Sequence, residues 1–370
     1  MNADRLKDRF EDRMRRAAEE AAARGFDALV AAPSPDLAYL AGYDPMPLER
    51  ASLLVLRADR PPTMLVPELE RPLAAASPAG ASLELIGWVD GVDPYEEAAK
   101  LLPRHGRVAV GDRLWSSHLL GLQRAVPRAT FEPASPIIGR LRAVKDDEEL
   151  GTLRRAARGA DESFRQICTM TFIGRREEQI AADLADLLVH NGHGKAEFTI
   201  VASGPNAASP HHHPGSRTIR PNDAVVMDFG GELAGYYSDT TRTVVVGEAP
   251  PGFERVYDAV REAQAAACEA AAPGVEAQHV DRAARRIIDE AGFGDRFIHR
   301  TGHGIGLEVH EPPYLVEGSD WTLEPGTTFS VEPGIYLEGE FGVRIEDIVA
   351  VTADGVERLN RSTRELQVVE

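Results

Sequence analysis

Hydrophobic and polar positions along this chain follow two periods, one helical and one alternating. Residues Leu6 to Ala23 place mixed charges and alanines at helical spacing, and Gly25 stops the pattern before the apolar Ala28-Leu29-Val30-Ala31, which predicts a helix and then a strand. Ser52 to Arg57 and Pro62 to Val66 are short β-like runs separated by the turn signal Asp59-Arg60-Pro61-Pro62, and Arg107 to Val110 is another before Gly111-Asp112. Strands alternating with Ala-rich helices predict an α/β amino-terminal domain. From Arg140 to Leu150 the chain turns charged, which predicts the opening of an amphipathic helix reaching about Phe164. The domain boundary is placed here, at Arg142, giving domains 1–142 and 143–370. A second helix is expected from Glu177 to His190, closed by Asn191-Gly192. Strands follow at Thr199 to Ala202, Ala224 to Phe229 and Thr243 to Val246, then helices at Phe253 to Ala271 and Ala277 to Ala291. The tail returns to strands at Thr327 to Val331, Val343 to Ile345 and Ile348 to Val351. This order predicts two α+β halves packed against each other, with the polar motifs in the strand blocks.

Length and composition narrow the picture. At 370 residues the chain exceeds the roughly 250–300 at which one hydrophobic core stops growing, so two domains are expected. A hydrophobic share of 43% with 27% charged residues is that of an ordinary globular protein. The net charge of −18 argues against a nucleic-acid partner, because phosphate binding needs clustered Lys and Arg. Only Cys168 and Cys268 occur, without CxxC spacing, so neither a disulfide framework nor a zinc knuckle is indicated, and both are expected to be buried. Met1 to Arg24 lacks the continuous apolar core of a signal peptide, and no 18-residue apolar run exists, so no membrane partner and a cytoplasmic location are expected.

Four polar words carry the chemistry. Met227-Asp228-Phe229-Gly230 followed by Tyr237-Ser238-Asp239-Thr240-Thr241-Arg242-Thr243 puts two aspartates on adjacent strand-like segments, where a hairpin can aim both into one pocket. Alone, such an Asp before Gly is a turn former. Thr301-Gly302-His303-Gly304-Ile305-Gly306 flanks an imidazole with glycines that let backbone approach closely, and a dinucleotide reading fails because no strand–turn–helix context surrounds it. Val331-Glu332-Pro333-Gly334 sets a carboxylate at the end of an apolar strand, and Gly342-Val343-Arg344-Ile345-Glu346-Asp347 sends Arg344 and Glu346 to one face and Val343 and Ile345 to the other. Asp228, Asp239, His303, Glu332 and Glu346 together make four carboxylates and one imidazole, too many like charges to bury without cations. Oxygen-rich ligands without thiolate suit two divalent ions of the harder kind, Mn²⁺ or Co²⁺ first, with Zn²⁺ and Fe²⁺ left open.

His211 and His310 lie in stretches leading into or out of these words, and either imidazole can serve a developing oxyanion or a leaving amine. His212 and His213 are expected to face solvent, since neighbouring side chains on an extended segment point in opposite directions.

In joint occurrence and order, these words resemble the pita-bread metallopeptidases, specifically the aminopeptidase P and prolidase branch. The resemblance covers nearly the whole chain and implies an α+β pita-bread catalytic domain preceded by a smaller α/β creatinase-type amino-terminal domain. It implies that Asp228 chelates one ion, that His303 and Glu332 hold the other, and that Asp239 and Glu346 bridge. It further implies substrate-binding or transition-state roles for His211 and His310, a supporting arginine at Arg344, and a hydrogen bond from Thr241 that fixes a ligand. The implied mechanism is attack by a metal-activated hydroxide on the scissile carbonyl, with Glu332 shuttling a proton to the proline nitrogen. A peptide with proline at its second position is the implied substrate, and a homodimer the implied assembly.

One departure bears on substrate choice. Some prolidases carry, after the pair that is here His310-Glu311, an arginine for the dipeptide carboxylate, whereas this chain has Pro312-Pro313-Tyr314 and no Lys or Arg from Glu311 through Val343. An Xaa-Pro aminopeptidase is therefore expected ahead of an Xaa-Pro dipeptidase. A creatinase-like or ectoine-hydrolase-like amidohydrolase and a catalytically silent peptide-binding module are the competing readings.

Overall fold

In the computed structural model, which describes residues 3–370, the apolar run Ala28–Ala31 lies inside a six-stranded mixed sheet. The strand order is Glu84–Trp88, Arg60–Pro67, Leu53–Arg57, Ala28–Ala31, Gly106–Val110, Ala129–Pro133. Ala28–Ala31 pairs antiparallel with Leu53–Arg57 and parallel with Gly106–Val110. The chain divides into two compact units, Met1–Arg142 and Ala143–Glu370. In the first, Val30, Leu53, Val55, Leu65, Val108 and Leu122 fill a core between sheet and helices. The turn signal proves tighter than expected: Arg57 already pairs with Arg60, so Pro61 and Pro62 lie within the next strand. The strands Glu84–Trp88 and Ala129–Pro133 left no clear pattern because they are edge strands, largely half-buried or exposed.

The charged stretch Arg140 to Leu150 is not the opening of one helix. Arg140 and Arg142 end the helix Ser135–Ala143, and a new helix, Asp147–Ile167, begins after Asp146. The Asp146 carboxylate accepts the backbone N–H groups of Glu148 and Glu149, both at 3.0 Å, while Glu149 accepts the N–H of Asp146 at 2.9 Å. This reciprocal box satisfies the donors that the first turn leaves unpaired and fixes the start.

In the second unit two helix pairs each back a sheet. Asp147–Ile167 and Glu177–His190 pack with the order Gln367–Val369, Thr240–Val246, Ala224–Leu233, Lys195–Ser203. Phe253–Ala270 and Ala277–Glu290 pack with a second sheet, Glu311–Leu315, Gly302–Gly304, Thr328–Val331, Asp347–Val351, Val356–Arg358, and with the hairpin Gly334–Leu337/Phe341–Arg344. Ala259, Ala263 and Ala267 recur on one face of Phe253–Ala270, where small side chains admit a close neighbour.

A buried ion pair ties the two sheets. Arg242, 1% exposed, reaches Asp347 at 2.7 Å, and Asp347 also accepts from Gln264 at 3.1 Å and Arg358 at 2.7 Å. Thr243 donates its hydroxyl to the carbonyl of Arg344 at 2.9 Å, and the N–H of Glu346 donates to the carbonyl of Thr241 at 3.0 Å. These bonds hold the segment carrying Asp239 and Thr241 against the one carrying Arg344 and Glu346.

Candidate metal centre and active site

The antiparallel register sets Thr241 opposite Asp228. Asp239 lies two residues before Thr241, so the alternation of strand side chains points both aspartates to the same side. His303 sits mid-strand in Gly302–Gly304, wedged between two neighbouring strands. A Cβ on Gly302 would lie 1.9 Å from the Ser330 carbonyl oxygen and one on Gly304 2.2 Å from that of Pro312, so only glycines permit this approach. Glu332 follows the strand Thr328–Val331, and its N–H donates to the Thr301 carbonyl at 2.8 Å. Val343 and Ile345 enter the core while Arg344 and Glu346 face the opposite way, into the pocket.

Asp228, Asp239, His303, Glu332 and Glu346 line one cavity of about 740 Å³, together with His211, His310 and Arg344. Ligand atoms of Asp228, Asp239 and Glu346 lie within 4.8 Å of one another, and so do those of His303, Glu332 and Glu346 and those of Asp239, His303 and His310. Asp239, His303 and Glu346 each recur in two of these triplets.

The charges press on each other. Burial, and then the charges of Glu346, Asp228 and Glu332, hold the Asp239 carboxyl well above the usual carboxylate range. Burial followed by Glu332 and Asp228 does the same to Glu346. Asp228 is raised by burial despite the Arg344 guanidinium, which donates to its Oδ2 at 2.6 Å. Burial also pushes Glu332 upward, but the His303 hydrogen bond and the charges of His303, His299 and Arg344 outweigh it and bring this carboxyl to about 2. Burial, then the charges of His303 and Arg300, lowers His310 to about 4, so that imidazole is neutral near pH 7.

The surroundings fix these side chains. His303 Nδ1 lies 3.1 Å from the Gly304 carbonyl, which can only accept, so Nδ1 carries a proton and Nε2 is left to face Glu332. Thr241 donates to Glu346 Oε2 at 2.7 Å, and Ser330 to Glu332 Oε1 at 3.2 Å. Arg344 spends Nη2 on Asp228, Nη1 on the Tyr336 hydroxyl at 2.9 Å and Nε on Thr241 at 3.1 Å. The rings of His303 and His310 are 4.0 Å apart between centroids, and His211 lines the same cavity from the loop after Ala208.

Residues 151–353 match the model of metallopeptidase family M24, and residues 13–144 match the creatinase/prolidase N-terminal domain. The chain belongs to metallopeptidase family M24. It is therefore a hydrolase of the metallopeptidase class, built as a pita-bread catalytic domain preceded by a creatinase-type domain. It is 42% identical over 362 residues to the probable dipeptidase PepE of Mycobacterium tuberculosis, covering 96% of each chain. To the Xaa-Pro dipeptidase of Lactobacillus helveticus it is 38% identical over 341 residues, 90% of this chain and 92% of that one. The crystal structure of dipeptidase PepE from Mycobacterium ulcerans superposes with a TM-score of 0.95 at 41% identity, covering 98% of each chain.

The donor set of this M24 chain fits metal. Oδ1 of Asp228 and Oε1 of Glu346 are buried with no hydrogen-bond partner among the described residues. The His303 Nε2 lone pair faces Glu332 Oε1 at 3.1 Å and Asp239 Oδ2 at 3.7 Å, which is repulsive unless a cation or proton stands between. Two divalent ions among these five side chains would satisfy every one of those atoms.

Other residues of the site escaped the sequence. His299 and Arg300 line the cavity just ahead of the glycine-flanked histidine, and His299 hydrogen-bonds the Tyr336 hydroxyl at 2.8 Å. Glu177, fully buried, accepts from the Ser203 N–H and hydroxyl at 2.8 and 2.7 Å, from Asn206 at 3.0 Å, from His212 Nε2 at 2.8 Å and from the Gly215 N–H at 3.3 Å. It pins the loop that carries His211. His212 thus does not face solvent as expected, because Glu177 draws it inward, whereas His213 is exposed. The helix-initial position of Glu177 was a signal for it, but its partners lie 26 to 38 residues away. Cys268 is buried and Cys168 half-buried, and no helix is long and apolar enough to cross a membrane among the described residues.

Proposed function

We propose that this protein is an Xaa-Pro dipeptidase, hydrolysing the bond before a proline that occupies the second and last position of its substrate. The observation that carries the reading is the cavity in which four carboxylates and an imidazole converge, in a chain whose near-full-length relatives are named dipeptidases. Those relatives shift weight from the aminopeptidase expected from the Pro312-Pro313-Tyr314 segment to the dipeptidase alternative.

The ligands we assign are Asp228 to one ion, His303 and Glu332 to the other, and Asp239 and Glu346 to both, with Mn²⁺ favoured by the oxygen-rich set. When bound, two such ions supply Lewis acidity and bring the pKa of water to about 7. Glu332, on the cavity wall beside the proposed ions, would accept a proton and pass it to the proline nitrogen. His310, neutral near pH 7, and His211 stand on the cavity wall as hydrogen-bond donors for charge developing on the carbonyl oxygen or for the departing nitrogen. Arg344 holds Asp228 and Thr241 in place, and its own partners leave it no open donor pair for substrate.

The test compares manganese-loaded protein on Leu-Pro, Leu-Pro-Gly and creatine. Fastest turnover of Leu-Pro, abolished by chelator, is expected. Cleavage of Leu-Pro-Gly without Leu-Pro would return the assignment to an aminopeptidase. Metal-independent turnover of creatine would overturn both.

A further inference from the structure

The loop from Gly304 to Glu311 carries His310, and a buried ion pair lies beneath it. Lys145 Nζ donates to Glu311 Oε1 at 2.6 Å and to the Ala143 carbonyl at 3.3 Å, the Lys145 and Glu311 side chains being 1% and 2% exposed. A Cβ on Gly306 would lie 2.6 Å from Glu311 Oε1 and 2.8 Å from Lys145 Cε, so the loop is seated on the pair itself. Lys145 is anchored in turn. Its N–H donates to the Gly326 carbonyl at 2.9 Å, and Val144 bridges to Thr327, one residue before the strand Thr328–Val331 that leads to Glu332.

Such a pair adds geometry more than stability. Taking two charges out of water is costly, and apolar side chains of the same volume commonly hold a core as well. What they lack is a bond of fixed length and direction. Glu311 pairs with Gly304 across the ladder and opens the strand Glu311–Leu315, so a carboxylate held by Lys145 sets where the loop rejoins the sheet. Neighbouring side chains on extended backbone point to opposite sides, and His310 faces the cavity while Glu311 faces Lys145. The His310 ring stands 4.0 Å from that of His303 between centroids, yet it makes no hydrogen bond among the described residues. No protein group grips the imidazole itself, so its place is set through the backbone by its neighbour.

We propose that Lys145, acting through Glu311, is a positioning residue that holds the His310 imidazole against the reacting bond, and so sets the rate of cleavage without serving metal or substrate binding. The inference rests on the reading above, in which His310 donates a hydrogen bond to developing charge. A group misplaced by about 1 Å can cost roughly a hundredfold in rate, which is the scale expected when its anchor is removed.

The experiment is a double-mutant cycle on manganese-loaded protein with Leu-Pro as substrate. Its arms are wild type, Lys145→Met/Glu311→Gln, His310→Ala and the triple variant. Removing both charges together avoids stranding one in the core, so the pair variant is expected to fold and to bind manganese with wild-type affinity by calorimetric titration. Its kcat should fall about a hundredfold with KM unchanged. His310→Ala alone should lose about a hundred- to a thousandfold in kcat. Once His310 is gone, replacing the pair should cost nothing further, because a misplaced group and an absent one fail alike. Should the pair variant fail to fold, Lys145→Arg, which keeps the charge and moves the donor, is expected to lose kcat in wild type and nothing in His310→Ala. Losses that multiply, a rise in KM at constant kcat, weakened manganese binding or wild-type kcat in the pair variant each overturn the assignment. Wild-type kcat in His310→Ala removes the role of His310 and that of Lys145 with it. Wild type that cleaves Leu-Pro-Gly and not Leu-Pro refutes the dipeptidase reading alone, since the cycle then runs on the tripeptide and judges Lys145 there.

Discussion

Thr241 donates its hydroxyl to Oε2 of Glu346 at 2.7 Å, and the Thr241 hydroxyl oxygen in turn accepts the Nε–H of Arg344 at 3.1 Å. One small side chain thus orients a carboxylate whose other oxygen is left for a cation. Thr241→Val keeps the shape and removes the donor. Metal affinity, followed by calorimetric titration, is expected to fall about 10- to 100-fold with the circular dichroism spectrum unchanged. Wild-type affinity in the variant would take Thr241 out of the site.

Asp239 links the site to pH. In metal-free protein its carboxyl is held well above the usual range by burial and by Glu346, Asp228 and Glu332. The native state then binds more protons than the unfolded chain above about pH 4, so this group's contribution to stability falls as pH rises from there through the raised native pKa. With chelator present, the melting temperature of wild type relative to Asp239→Asn should drop as the pH is raised from about 5. The same variant should retain no metal and no activity while remaining soluble. A difference that stays flat as the pH rises would contradict mutual crowding of the carboxylates.

Glu177 anchors a loop without touching the cavity. Burial pushes its carboxyl up, but the donors from Ser203, His212 and Asn206 outweigh this and hold it below the usual range. Glu177→Ala strands those donors, and urea unfolding should report a loss of about 3 kcal/mol. Glu177→Gln should lose less. Because its carboxyl is lowered in the native state, its contribution is present above about pH 4 and lost as pH falls through the native value.

The two thiols should be silent. Burial raises Cys168 and Cys268 to about 12, so at pH 8 roughly one part in ten thousand is thiolate. Ellman's reagent is expected to find no fast-reacting thiol in the native protein and two after denaturation. A fast native thiol would mean that one of these sites opens.

Much of the site could be read from short words because each holds its own geometric reason. The glycines around His303 announce close backbone approach, and the alternation Val343-Arg344-Ile345-Glu346 announces which face is polar, both being properties of neighbouring positions. Arg300 gave no such signal, and the helix-initial position of Glu177 said nothing of the residues it would hold. The meaning of Lys145 depends on Glu311, 166 positions away, and that of Glu177 on a loop beginning 26 residues later. The expected single helix from Arg140 failed for a different reason, since its charged stretch conceals an Asp146–Glu149 capping box that restarts the helix.

By itself the sequence determined the chemical inventory, the alternation of helix and strand, and the family to which the chain belongs, because residue type and local period suffice for these. Tertiary structure alone decided which charges share a space small enough for an ion and which cation pairs with which carboxylate. Arg344 and Asp228 are 116 positions apart yet meet at 2.6 Å, and such a meeting is set by strand register and sheet packing, which no local pattern encodes.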